Sequence, residues 1–174
     1  MTKLLIDKID FAMGQILLVT DGEILCALDF AGYESRMMKL LEKRYGTIHL
    51  IEMHNPQGFS DRIQAYLTGD FNRLNEIPVN PSGTPFQQQV WSALRSISPG
   101  TVITYRELAE RISKPTAYRA VGMANSLNPI SIVLPCHRVI GTNANLTGYA
   151  GGLDRKRWLL QHEGVNLEFS SATK

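Results

Sequence analysis

Residues 84–140 read TPFQQQVWSALRSISPGTVITYRELAERISKPTAYRAVGMANSLNPISIVLPCHRVI. Thr84 offers a hydroxyl N-cap, Pro85 sits at the first helical position, where a missing N–H is harmless, and Gln87 stands at the third. A helix should therefore begin at Pro85. Phe86, Val90, Ala93, Leu94 and Ile97 fall on one face of it, and Ser98-Pro99-Gly100 ends it. Thr104-Tyr105-Arg106-Glu107 repeats the capping pattern and predicts a second helix through Ile112. Lys114-Pro115 turns the chain, and a third helix is expected from Thr116 to Leu127, which Asn128-Pro129 cannot continue. Two short helices around a tight break suggest a helix-turn-helix, although without the surrounding motifs an ordinary helical corner is the commoner source of such spacing. Ile130 to Leu134 is an apolar run of strand type that leads directly into Pro135-Cys136-His137-Arg138.

Upstream, IPVNPSGTP (77–85) holds three prolines and a glycine among polar residues, the composition of a linker. It divides the chain into expected domains at residues 1–80 and 84–168. In the first, residues 4–9 and 16–19 are apolar-rich, and Asp21-Gly22 between QILLVT and EILCALDF is a hairpin signal. Tyr33 to Tyr45 reads as an amphipathic helix ending at Gly46, followed by a strand at Ile48 to Met53 and a helix from Phe59 to Leu67. Downstream lies a loop, GTNANLTGYAGG (141–152). Asp154 is then placed to cap a last helix carrying Trp158, Leu159 and Leu160 and stopping at Gly164.

The 174 residues accommodate one domain or two small ones, and no apolar run approaches the roughly 18 to 20 residues needed to cross a bilayer. The start, MTKLLIDKID, lacks the basic flank and long apolar stretch of a secretion signal, so an intracellular, cytoplasmic location is expected. The net charge of +2 conceals an asymmetry: residues 1–83 carry 8 Lys/Arg against 11 Asp/Glu, and residues 84–174 carry 10 against 5. The second half is suited to a polyanion, although such an excess also occurs on ordinary surfaces. Cys26 and Cys136 are the only cysteines, which excludes a disulfide framework. With Cys26, His49 and His54 lacking the paired spacing of a structural zinc site, no metal is expected. Cys26 lies in an apolar hairpin strand and reads as inert core.

Cys136 has His137 and Arg138 beside it, and a thiol becomes nucleophilic next to cations, hydrogen-bond donors or a base. Neighbours on a strand point to opposite faces, so adjacency alone does not establish a Cys136–His137 contact. A cysteine after an apolar strand is, by itself, more often a core residue. The setting changes that reading. LPCHRVIG, preceded by NPISIV and followed by GYAGG and WLLQHEG, closely resembles the active-site region of the O6-alkylguanine-DNA alkyltransferases. The resemblance is dense from about Thr84 to Gly164 and thinner before it.

The resemblance implies an α/β (α+β) architecture. A ribonuclease-H-like N-terminal domain would have a small antiparallel sheet, and a mostly helical C-terminal domain would carry a winged-helix-like helix-turn-helix. It implies a methylated-DNA-[protein]-cysteine S-methyltransferase. The alkyl group of O6-alkylguanine, and of O4-alkylthymine, would pass irreversibly to Cys136, once per molecule and without a cofactor. His137 matches the residue that takes the thiol proton through a water, and Glu163 the carboxylate that orients it. Glu163 precedes the helix-ending Gly164, where the helix dipole should raise its proton affinity. Tyr105 matches the donor to the leaving base, with Lys156 assisting it, and Asn128 the brace of the turn before the active-site segment. Val139, Ala150 and the Cys136 carbonyl would read the base through the main chain, and pocket width would depend on Asn125, Ile130, Ser131 and Tyr149.

The partner implied is alkylated double-stranded DNA, bound by a monomer. The base must leave the stack to reach a thiol, and Arg119 matches the finger that fills its place. Thr104, Ala117, Tyr118, Gly122 and Asn125 would line the DNA-facing surface, the small residues suiting a narrow minor groove. Tyr118 departs from the pattern, standing where relatives usually have something small, and it bears on the depth and affinity of groove binding. Two other classes remain. One is a non-reacting alkylated-DNA-binding module, which would lack the acceptor cysteine. The other is a Cys-His hydrolase, which would turn over more than one equivalent.

Overall fold

A computed structural model describes residues 1–141 and 149–166. The centre of the expected loop, 142–148, and the end of the expected second domain, 167–168, lie outside the described residues. The chain forms two compact units. One comprises residues 1–82 and 129–133, and the other residues 83–128 and 134 onward.

The first unit is built on a four-stranded sheet. Strands β1 (Thr2–Phe11), β2 (Gly14–Thr20) and β3 (Leu25–Phe30) form an antiparallel meander. Between β2 and β3 the Asp21 carboxylate accepts hydrogen bonds from the backbone N–H groups of Glu23 and Ile24, closing the turn that Asp21-Gly22 predicted. Helix α1 (Glu34–Tyr45) then carries the chain back so that β4 (Ile48–Glu52) pairs with β1 in parallel. The sheet, ordered β3-β2-β1-β4, is therefore mixed and not antiparallel throughout. The reason is connectivity: a helical crossover returns the chain in the direction it left, whereas a hairpin reverses it.

Met37 and Leu41 of α1 bury against Leu4, Ile6, Leu17, Val19 and Cys26. Because side chains alternate along a strand, Ile16 and Leu18 face the other way, and they are buried too. Helix α2 (Phe59–Leu67) contributes Phe59, Ile63 and Tyr66 to the core. Cys26 lies in the α1 cluster with its sulfur 3.1 Å from the Tyr45 hydroxyl, and burial pushes its thiol up, the setting of an unreactive cysteine.

The expected strand at Ile130–Leu134 does not form. Ile130 makes a single parallel bridge with Leu28, whose N–H donates to the Pro129 carbonyl and whose own carbonyl accepts from Ser131. Ile132 then takes φ +71°, and the Val133 N–H reaches the Ser131 carbonyl at 2.8 Å, a γ-turn. Apolar content marked this run as buried, which it is. A short apolar run carries no period that would distinguish a strand from a buried turn.

The second unit is mostly helical: α3 (Pro85–Leu94), α4 (Tyr105–Arg111), α5 (Tyr118–Ser126) and α6 (Leu153–His162). Both expected capping boxes are present, with Thr84 Oγ1 accepting from the Gln87 N–H and Thr104 Oγ1 from the Glu107 N–H, each at 3.1 Å. Val90, Trp91 and Leu94 bury the inner face of α3, and the Trp91 indole N–H donates to the Ala124 carbonyl of α5 at 2.8 Å. Gly152, not Asp154, occupies the N-cap of α6. Asp154 lies in the first turn, still at the end where the dipole favours an anion.

Two strands of two residues each, β5 (Ile103–Thr104) and β6 (Val139–Ile140), pair in parallel, with Ile103 opposite Val139. Since α4 starts directly after β5 and Cys136–Arg138 directly precede β6, this pairing brings the first turn of α4 to the cysteine segment. Among the described residues no helix is long and apolar enough to cross a membrane.

Candidate active site

Two tight turns aim Cys136. At Pro135, with φ −79° and ψ 66°, the chain makes an inverse γ-turn closed by the Cys136 N–H on the Leu134 carbonyl at 2.7 Å. Cys136, His137 and Arg138 then form one turn of 3-10 helix. The Asn128 amide donates to the same Leu134 carbonyl at 2.8 Å, so the residue that ends α5 also pins the turn before the cysteine. Asn125, expected on the DNA-facing surface, is instead buried, and its Nδ2 donates to the Cys136 carbonyl at 3.3 Å.

His137 is fully buried, and its Nε2 stands 2.7 Å from Glu163 Oε2. Arg138 grips the same carboxylate from a second side, Nε to Oε1 at 2.8 Å and Nη2 to Oε2 at 3.0 Å, while its Nη1 donates to the Ile97 carbonyl at 2.6 Å. Burial pushes the Glu163 carboxyl up, but its contacts with His137 and Arg138 outweigh that and hold it well below the usual carboxylate range. The dipole-based expectation of a raised proton affinity is thus reversed. A helix end contributes at most about 2 kcal/mol, and a bidentate guanidinium pair in a buried site exceeds it.

Burial lowers the proton affinity of His137, with Glu163 opposing and Arg138 and Lys156 assisting. The imidazole is neutral at rest. With Glu163 ionised, Nε2 carries the hydrogen and donates it, and Nδ1 is left as an acceptor with no protein partner among the described residues. A neutral imidazole with an available lone pair, one residue from a cysteine in the chain, has the chemistry to act as a general base.

Lys156 of α6 is fully buried, and its ammonium donates to the Val139 carbonyl at 2.7 Å. Burial pushes it down to about 8, against the opposing influence of Cys136. Lys156, expected from the resemblance to assist Tyr105, thus tethers β6 at Val139, directly after the Cys136–Arg138 turn. Tyr105, half-buried, opens α4, and Gly122 of α5 lies behind its ring: a Cβ there would meet the ring edge at 3.8 Å. Tyr149 is buried and Ala150 half-buried.

Arg119 is exposed near the start of α5, and Ala117 is that helix's N-cap. The Thr104 hydroxyl is engaged in its capping box. Tyr118 lies half-buried beneath Arg106, whose guanidinium carbon is 4.0 Å from the ring centroid. Sequence reasoning missed Arg138 as the holder of Glu163. The available signal was a long cation in the otherwise apolar run VLPCHRVI, where burial would demand a carboxylate partner.

A free, buried cysteine directly preceding a buried histidine–carboxylate pair, in a unit whose paired helices α4 and α5 have the helix-turn-helix layout, is the arrangement of a cysteine protein directed at nucleic acid. Residues 85–165 match the family described as 6-O-methylguanine DNA methyltransferase, DNA binding domain, and residues 4–81 match 6-O-methylguanine DNA methyltransferase, ribonuclease-like domain. The methylated-DNA–protein-cysteine methyltransferase of Shigella flexneri is 46% identical over 170 residues, covering 96% of this chain and 99% of that protein. Mycobacterium tuberculosis OGT, solved in complex with DNA, superposes with a TM-score of 0.76 at 38% identity over 92% of each chain. The O6-methylguanine-DNA methyltransferase of Pyrococcus kodakaraensis strain KOD1 gives 0.74 at 27% identity, covering 93% of this chain and 99% of that one. The chain belongs to the O6-methylguanine-DNA methyltransferase family.

Proposed function

We propose that this protein repairs DNA by direct reversal, taking the alkyl group from O6 of guanine onto the sulfur of its own Cys136. The observation that carries the reading is the buried His137–Glu163 pair, locked by Arg138, in the residues that directly follow the buried Cys136. In the reaction His137 Nδ1 takes the thiol proton through a water, and the imidazolium formed is stabilised by the Glu163 carboxylate. The sulfur attacks the alkyl carbon, an S–C bond forms and the C–O6 bond breaks. Its electron pair passes to guanine, which leaves as the neutral base on taking up a proton, for which the Tyr105 hydroxyl is the donor. The thioether has no carbonyl-type carbon for water to attack, so the thiol is not regenerated.

Cys136 is only 3% exposed, and an alkylated base in a duplex lies inside the stack. The nucleotide must therefore rotate out, at a cost of about a few kcal/mol, with Arg119 occupying the space it leaves. The small residues of α5 suit minor-groove approach, where recognition does not depend on sequence. O4-alkylthymine presents the same electrophilic carbon and is a second substrate. The protein works as a monomer in the compartment that holds the DNA, which we take to be the cytoplasm.

The test is incubation with duplex DNA containing labelled O6-methylguanine, followed by peptide mass mapping. One alkyl group on Cys136 per molecule is expected, and none in Cys136→Ala. An unmodified Cys136, or several product equivalents per protein, overturns the proposal.

A further inference from the structure

Tyr118 stands where the family pattern has a small residue, and its surroundings give the larger side chain a role. The first turn of α4 meets α5 at two points one helical turn apart, Arg106 over the Tyr118 ring at 4.0 Å and Tyr105 against Gly122. Residues i and i+4 share a helix face, so Tyr118 and Gly122 present one surface to consecutive residues of α4. Arg106 is exposed, and among the described residues its guanidinium forms no ion pair. A guanidinium lying on an aromatic ring keeps its N–H donors available to a further acceptor, and a phosphate oxygen pair matches their fork. Arg106 directly follows Tyr105, and Arg119, equally exposed, directly follows Tyr118.

We propose that Tyr118 is a platform that holds Arg106 in position to bind a backbone phosphate of duplex DNA beside the segment from which the damaged nucleotide is extruded. The inference rests on the DNA-directed reading above and adds to it a phosphate-binding residue, Arg106, and a positioning residue, Tyr118. A flexible arginine must be ordered before it can grip a phosphate, and stacking on Tyr118 does that ordering in advance. The bulky residue at the start of α5 thereby stiffens a contact to DNA and does not block one.

The experiment measures binding to an undamaged duplex across a range of salt, so that no transfer takes place, for Arg106→Gln, Tyr118→Ala, Tyr118→Phe and the double variant Arg106→Gln/Tyr118→Ala. Melting curves establish that each variant is folded. Arg106→Gln should weaken binding about tenfold and reduce the slope of log K against log salt by about one. Tyr118→Ala should lose most of the same affinity, Tyr118→Phe should restore it, and the double variant should bind no worse than Arg106→Gln. Tyr118→Ala binding as tightly as wild type, or an unchanged salt slope in Arg106→Gln, overturns the proposal. Wild-type transfer from the O6-benzylguanine base to Cys136, read by mass mapping, tests the alkyl-transfer reading separately, since that reaction needs no duplex.

Discussion

Glu163 is held on one side by a neutral imidazole and on the other by a permanent cation, and this arrangement sets the pH behaviour of the site. Glu163→Gln keeps the shape but leaves the Arg138 charge buried without its partner, so it should cost about 3–5 kcal/mol of stability in denaturant melts. It should also slow alkyl transfer. The carboxyl's proton affinity is depressed on folding, so its contribution is present above the ordinary value of 4.5 and is lost as pH falls through the folded value. The stability gap between wild type and Glu163→Gln should accordingly shrink on acidification. His137, lowered by burial, stays neutral below its ordinary 6.5, and single-turnover rates should therefore hold as pH drops through 6.5, with the acid limb lying lower. Lys156 contributes with the same sign in the basic range. Between about 8 and 10.5 the unfolded chain holds a proton the folded one has released, so stability attributable to this group rises with pH. The stability difference between wild type and Lys156→Met should move in favour of the wild type across that window.

Helix starts and stops in the second unit follow local chemistry. Thr84→Ala and Thr104→Ala each remove an N-cap acceptor and should each lower stability by about 1 kcal/mol, measured as a shift in thermal midpoint. Gly100 lies outside the helices at φ +84°, and an added Cβ there would stand 3.1 Å from the Glu163 backbone carbonyl. Gly100→Ala should therefore disturb Glu163 from behind, reducing transfer rate more than Thr84→Ala does for a comparable loss of stability. Such elements were legible to different degrees. The capping boxes at Thr84 and Thr104 marked α3 and α4, and Asn128-Pro129 marked the end of α5, because each signal acts within one turn of its own position. The pair β5–β6 gave no signal, since two residues are too few for any periodicity and their pairing joins positions 36 residues apart. The left-handed Ile132 was equally invisible, because nothing in a β-branched residue announces a positive φ.

Charge is divided between the halves of the chain: residues 1–83 carry an excess of acids and residues 84–174 an excess of bases. DNA affinity should therefore fall steeply with salt, and it should depend on the second half. Arg119→Glu is expected to abolish measurable duplex binding, while Lys39→Glu, an exposed reversal in α1, should change it less than about twofold at fixed salt. The amino-acid sequence alone determined the family and most helix starts and stops, because caps, prolines and the PCHR segment act locally. Only the tertiary structure decided which partner each charge has. Arg138 and His137 meet Glu163 across some 25 positions, Asn125 turns inward to the Cys136 carbonyl, and Tyr118 lies under Arg106. Such pairings decide protonation and exposure, and they come from desolvation and close packing between elements that no local pattern encodes.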